Sequence, residues 1–276
     1  TKLLNLNMNH KIRKKLDKKF SLCARSVPDI RLEEVIKVAM DTGYHAVGFA
    51  FDNIQDLDKT LALDLRERIN DSPLFGLDID VIRIKPGPLN TEVFHFLDLA
   101  AIIGIQHVLV VSHDPDFDQT VVKLTELCDH AIDLGLGVVF EFLMLTEYRT
   151  LDDAFAVVNA VNRSNAKILI DTLHLVRAGH NPEYISNFDE SLFPYIQLCD
   201  GKAKINHNDY EEVVFDSREN RFSPGDGELP IHEILRFINT DIPISIEVRS
   251  HVLNRLFPDA SERASYLKSA CKKFFE

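Results

Sequence analysis

The sequence predicts a closed (β/α)8 barrel. Short apolar runs rich in Val and Ile alternate with segments of helical period from Phe20 onward. These runs are almost continuously apolar, as strands are when both faces are buried, which implies parallel pairing beneath covering helices. Eight strand–helix units in about 250 residues fit a closed barrel better than an open doubly wound sheet.

The elements follow in order. Phe20–Ala24 is the first strand. Leu32, Val35, Ile36 and Ala39 then repeat at helical spacing, and Gly43 is placed to end that helix. Ala46–Phe51 is the second strand, and a weaker helix after Asp58 rests on Leu61, Leu65 and Ile69. Gly76–Ile84 is the third. Val93, Leu97, Ala100 and Ala101 follow under an Asn90 cap, with Gly104 at the end. His107–Val111 precedes a helix on Val121, Leu124, Cys128, Ala131 and Ile132, closed by Gly135. After Gly137–Phe142, Thr150 and Asp153 form a capping box ahead of Ala154, Phe155, Val158 and Val161. The last strands are Lys167–Ile170, Tyr195–Leu198 and Pro243–Val248, and the later helices are Asn181–Phe188, Ile231–Asn239 and Ala260–Phe275. The basic stretch over residues 1–19, with Met8 as a candidate native start, reads as a solvated tail or extra helix. Residues 20–276 form one barrel domain, with no linker to divide it.

Composition narrows the function. Of the 276 residues, 31 are Lys or Arg and 43 are Asp or Glu, a net charge of −12 that disfavours nucleic acid as partner. No apolar run reaches the roughly 18 residues of a membrane helix, and no secretory leader pattern opens the chain. The 4 cysteines form no CxxC pair, so a reducing cytoplasm is expected. No GxGxxG follows the first strand, which argues against a dinucleotide.

Charge in doubly buried strands needs a partner, because desolvating a lone ion costs several kcal/mol. Each of the last four strands carries a polar residue near its C-terminal end: Glu141, Asp171, Gln197 and Glu247. In a barrel these ends ring one mouth, where active sites lie. Three carboxylates sharing a pocket call for a positive charge between them, and a divalent cation supplies it. Three carboxylates and an amide oxygen form a hard set, favouring Mn2+ or Mg2+, with Co2+ or Zn2+ as substitutes. His174, three residues past Asp171, is a candidate acid, base or supporting donor. His113 is a weaker one. The long connection 201–228 carries Lys202, Lys204, Arg218 and Arg221, and a loop of that length is usually functional. Basic residues beside the mouth suit a small polyhydroxylated or anionic ligand. Arg83, Arg221, Arg249 and Asp200 are the candidate substrate contacts.

Phe140-Glu141, Asp171-x-x-His174, Gln197-Leu-Cys-Asp200, Arg221 with Pro224-Gly-Asp-Gly-Glu-Leu-Pro230, and Ser245-Ile-Glu247 together resemble the xylose-isomerase-like TIM-barrel superfamily, in its sugar phosphate isomerase/epimerase branch. The resemblance covers about Phe20 to Phe275. It implies a metal set of Glu141, Asp171, residue 197 and Glu247. It also implies Glu141 and Glu247 as proton-transfer groups on opposite sides of an enediolate, with His174 or Arg249 steadying the oxyanion. Sugar epimerases usually carry His at the position of Gln197. Dehydroshikimate-dehydratase-like members are similar in carrying Gln and a Pro-Gly-x-Gly run, which implies a lyase as the alternative. Type-IV AP endonucleases share the barrel and the Asp-x-x-His element but need further histidines on strands 2, 3 and 7 that this chain lacks. A non-catalytic sugar-binding barrel is the third reading, and a homo-oligomer is left open.

Overall fold

The computed structural model describes residues 18–239 and 241–276, so the 1–19 tail apart from Lys18 and Lys19 lies outside the described residues. Eight parallel strands close in chain order: β1 Phe20–Cys23, β2 Ala46–Ala50, β3 Phe75–Ile84, β4 Ile105–Ser112, β5 Gly137–Glu141, β6 Ala166–Asp171, β7 Ile196–Leu198 and β8 Ile244–Ile246. Closure is made by β8 on β1, with Phe20 beside Ile244 and Leu22 beside Ile246.

The helices are α1 Leu32–Asp41, α2 Lys59–Asn70, α3 Glu92–Ile103, α4 Phe117–Asp133, α5 Leu151–Val161, α6 Thr172–Arg177, α7 Tyr210–Arg218, α8 Ile231–Arg236, α9 His251–Leu256 and α10 Ala260–Lys272. Asp58 caps α2 through the Leu61 amide, and Thr150 and Asp153 make their reciprocal cap on α5. Gly104 ends α3 at φ 88°, where a side chain would be strained. The expected helix over Asn181–Phe188 is instead a 3-10 segment, Pro182–Asn187. The connection 201–228 contains α7, which sequence periodicity does not announce because Tyr210 and Phe215 face solvent. No helix among the described residues is long and apolar enough to cross a membrane.

Two cores follow from strand alternation. Val108, Val110, Val138, Phe140, Ile168, Ile170 and Ile196 point outward into the large core under the helices. Leu109, Val111, Val139, Leu169 and Tyr195 point inward and fill the barrel. Continuing that inward face upward places Glu141 above Val139, Asp171 above Leu169 and Gln197 above Tyr195. The fold itself therefore gathers these polar ends.

Lower in the barrel, the His107 ring stacks on Tyr195 at 5.5 Å. Burial, then the Lys167 charge, lowers its pKa to about 4. Unfolded, the imidazole titrates near 6.5, so its contribution is complete above about pH 6.5 and drains as pH falls toward 4. The loss approaches about 2–3 kcal/mol at pH 4. Urea midpoints at pH 7 and pH 4.5 check this: His107→Gln should lose less stability between them than the wild type. Equal losses would contradict it.

Candidate active site

A cavity of about 400 Å3 opens at the C-terminal mouth, and Glu141, Gln197 and Glu247 line it together with His174, Arg221 and Arg83. Glu141 ends β5 and is 7% exposed. Its side chain accepts no hydrogen bond among the described residues. Burial, then the nearby charges of Asp171 and Glu247, pushes its pKa well above the carboxylate range.

Asp171 ends β6 and caps α6: its Oδ1 accepts from the Leu173 and His174 amides at 2.7 and 3.3 Å. Its Oδ2 accepts from Arg221 Nη1 at 2.7 Å. Burial alone would raise its pKa. Arg221, His174 and the amides outweigh burial and hold it below the usual range. Glu247, just past β8, accepts from the same Arg221 Nη1 at 3.0 Å. Burial raises it, and Arg221 offsets only part of that rise.

His174 is buried, with its pKa lowered to about 4 chiefly by desolvation. Arg221 Nη2 lies 3.3 Å from its Nε2. A guanidinium has only donors to offer, so Nε2 accepts and the ring proton rests on Nδ1.

Arg221 departs from its expected place as a substrate contact. It lines the cavity, but its guanidinium is held by Asp171, Glu247 and the Ser217 carbonyl, the last at 2.8 Å. It thus supplies part of the positive charge that sequence reasoning gave wholly to a metal. Its partners lie 50 and 26 residues away in sequence, and no local pattern joins them.

Asp200 is a second correction. It does not contact the cavity; its carboxylate accepts from the amides of Gly201, Gly225, Gly227 and Leu229 at 2.8–3.0 Å. It pins the Pro-Gly turn rather than a substrate. Lys202 and Lys204 are exposed and do not line the cavity, whereas Arg218, His113 and Arg249 do. Arg25 was not singled out in the sequence. It lies just past β1 and pairs with Asp80 at 2.6 Å and Asp52 at 3.1 Å on the cavity wall. The only signal for this pair was a charge within the apolar third strand.

The residues present suit a divalent cation. Ligand atoms of Glu141, Asp171 and His174 lie within 4.8 Å of one another. Gln197, 1% exposed, has a buried Oε1 with no hydrogen-bond partner among the described residues, although buried polar atoms usually find one. Glu247 stands outside that trio, on Arg221. The donors left free are hard oxygens, because the His174 Nε2 lone pair is taken by Arg221.

Fold and site together define a (β/α)8 barrel with carboxylate and amide donors clustered in a cavity at its C-terminal mouth. The chain belongs to the xylose isomerase-like TIM barrel family, whose model matches residues 36–270. It is 26% identical over 154 residues to an inosose isomerase of Bacillus subtilis, covering 51% of this chain and 52% of that protein. It is 28% identical over 120 residues to an inosose dehydratase of Clostridium beijerinckii, covering 42% and 40%. The chain spans about half the length, or less, of these curated relatives. A solved structure of an IolI protein with a bound zinc atom superposes with TM-score 0.79 at 20% identity, over 93% of this chain and 98% of that one.

Proposed function

We propose that this chain is a divalent-metal-dependent isomerase or epimerase of a small polyhydroxylated carbonyl compound, working by proton transfer next to the carbonyl. One observation carries the reading. Glu141 and Glu247 are buried carboxyls with raised proton affinity, on separate walls of one cavity. Such groups titrate closer to neutral pH and can both take and return a proton. A divalent ion held by Glu141, Asp171 and Gln197, with Glu247 beside it, would supply Lewis-acid polarisation of the substrate carbonyl; the oxygen set favours Mn2+ or Mg2+, and the zinc in the similar IolI structure keeps Zn2+ in view.

The chain's own groups do the rest. Glu247 is drawn toward its ionised form by Arg221 and is the better placed to remove the proton. Glu141, on the other wall, returns one to a different carbon or face. His174 holds Arg221 in register through its Nε2.

Gln197 favours a second reading, a dehydratase, because the dehydroshikimate-dehydratase-like members that the sequence resembles carry Gln where epimerases carry imidazole; the similarity to an inosose dehydratase adds an inosose as a candidate substrate. That enzyme shares the first proton removal and then expels a β-hydroxyl. Buried, unpaired cysteines fit the cytoplasm as its compartment.

The test is NMR in D2O with Mn2+ and a panel of ketoses, inososes and dehydroshikimate. About one divalent ion per chain should bind. Deuterium should enter beside the carbonyl with the hydroxyl count preserved. Loss of water without exchange into any intact sugar selects the lyase. No exchange, no dehydration and no metal uptake would remove both readings.

A further inference from the structure

The cavity's cations are not equally matched. Arg25 faces two carboxylates, Asp52 and Asp80, and Arg221 faces Asp171 and Glu247. Arg83 and Arg249 face none closely. Arg83 makes one hydrogen bond, from Nη1 to the Asp52 carbonyl at 3.1 Å, and neither arginine forms an ion pair among the described residues. Both are half-buried and both line the cavity. Arginine does not shed its proton to escape this; it stays charged and bears the cost. A half-desolvated, unmatched cation is unfavourable in the empty protein and becomes favourable when an anion arrives. A divalent ion on the carboxylate floor would add two further positive charges to the same cavity.

We propose that the substrate carries an oxyanion, a carboxylate or a phosphate monoester, which is received by Arg83 and Arg249 while its carbonyl end lies over the Glu141–Glu247 floor. This rests on the enzymatic reading for the second half only; the anion site stands without it. The guanidinium fork pairs with either anion in two-point geometry, so the residues define the shared chemistry and not its source. The division of the mouth also orients the ligand. Only its anionic end matches the two guanidinium forks, so pairing there turns the carbonyl end toward the floor.

Calorimetric titration of the metal-free protein separates the outcomes. The probes are inorganic phosphate, fructose 6-phosphate, glucuronate and neutral fructose. Wild type should bind inorganic phosphate or glucuronate, and should favour one anionic sugar over fructose by tenfold or more. Added KCl should weaken the anions and leave fructose unchanged. Arg83→Gln/Arg249→Gln should erase the preference, and the single Arg249→Lys should retain part of it. A preference for fructose 6-phosphate marks the phosphate source, and one for glucuronate the carboxylate. If wild type binds neither inorganic phosphate nor glucuronate, or the double variant keeps the preference, the proposal fails. A clear anion preference with no proton exchange in D2O would retain this site and remove the isomerase reading. Exchange into fructose without any anion preference would do the reverse.

Discussion

Glu141→Gln is expected to lower turnover by about 10^3-fold while leaving the fold at least as stable as the wild type. The amide keeps the size and shape of the side chain but can neither take nor give the proton. Its effect on stability should run in the opposite direction to its effect on activity. In the native protein this carboxyl is buried beside Asp171 and Glu247 with no donor among the described residues, and burial already works against its charge. A neutral amide removes that conflict. Steady-state kinetics on the substrate found in the D2O screen, together with a thermal melt of the metal-free protein, reads both. Turnover within tenfold of wild type would strip Glu141 of its chemical role. A melt lowered by several degrees would show that the carboxylate was satisfied after all.

Arg221→Met should have the largest cost to the fold. The guanidinium is 3% exposed and lies between two carboxylates that are themselves nearly sealed from water. Removing one partner of a buried ion pair costs about 3–5 kcal/mol, because the remaining charge is left without compensation. Here a single substitution leaves two such charges. Urea unfolding of the metal-free protein should show that loss, and adding Glu247→Gln in the Arg221→Met background should recover part of it, since contacting residues do not act additively. A loss below about 1 kcal/mol would mean that the site already holds compensation elsewhere.

The barrel was readable because its signals are local. Val-Ile runs, glycines such as Gly104 and the Thr150–Asp153 cap each act within a few residues, and each recurs in the structure. The polar ends at Glu141, Asp171 and Gln197 were readable for a related reason: alternation along a strand dictates which side chain faces inward once the neighbours are known. What escaped was pairing across the barrel. Arg221 reads from sequence as a substrate contact because nothing near it reveals Asp171 or Glu247. Asp200 looked like a mouth carboxylate because its four amide partners lie on a turn more than twenty residues on, apart from its own neighbour Gly201. Helix α7 was hidden by its exposure: its apolar side chains do not mark a buried stripe.

The clamp at Asp200 gives this barrel a modular joint. The chain leaves β7, travels through α7 and returns at Phe222, which exchanges backbone hydrogen bonds with Asp200 at 2.8 and 2.9 Å, while the Arg221 amide donates to the Arg249 carbonyl at 3.0 Å. Both feet of the excursion are therefore fastened to the barrel before Arg221 enters the cavity. Lengthening a surface loop costs little, about 0.6 kcal/mol per doubling. The stretch around residues 202–209 can thus grow or shrink at little cost, while the arginine at the far foot stays in register with the carboxylates. The length of the excursion and the position of Arg221 are thereby decoupled: one can vary while the other is held.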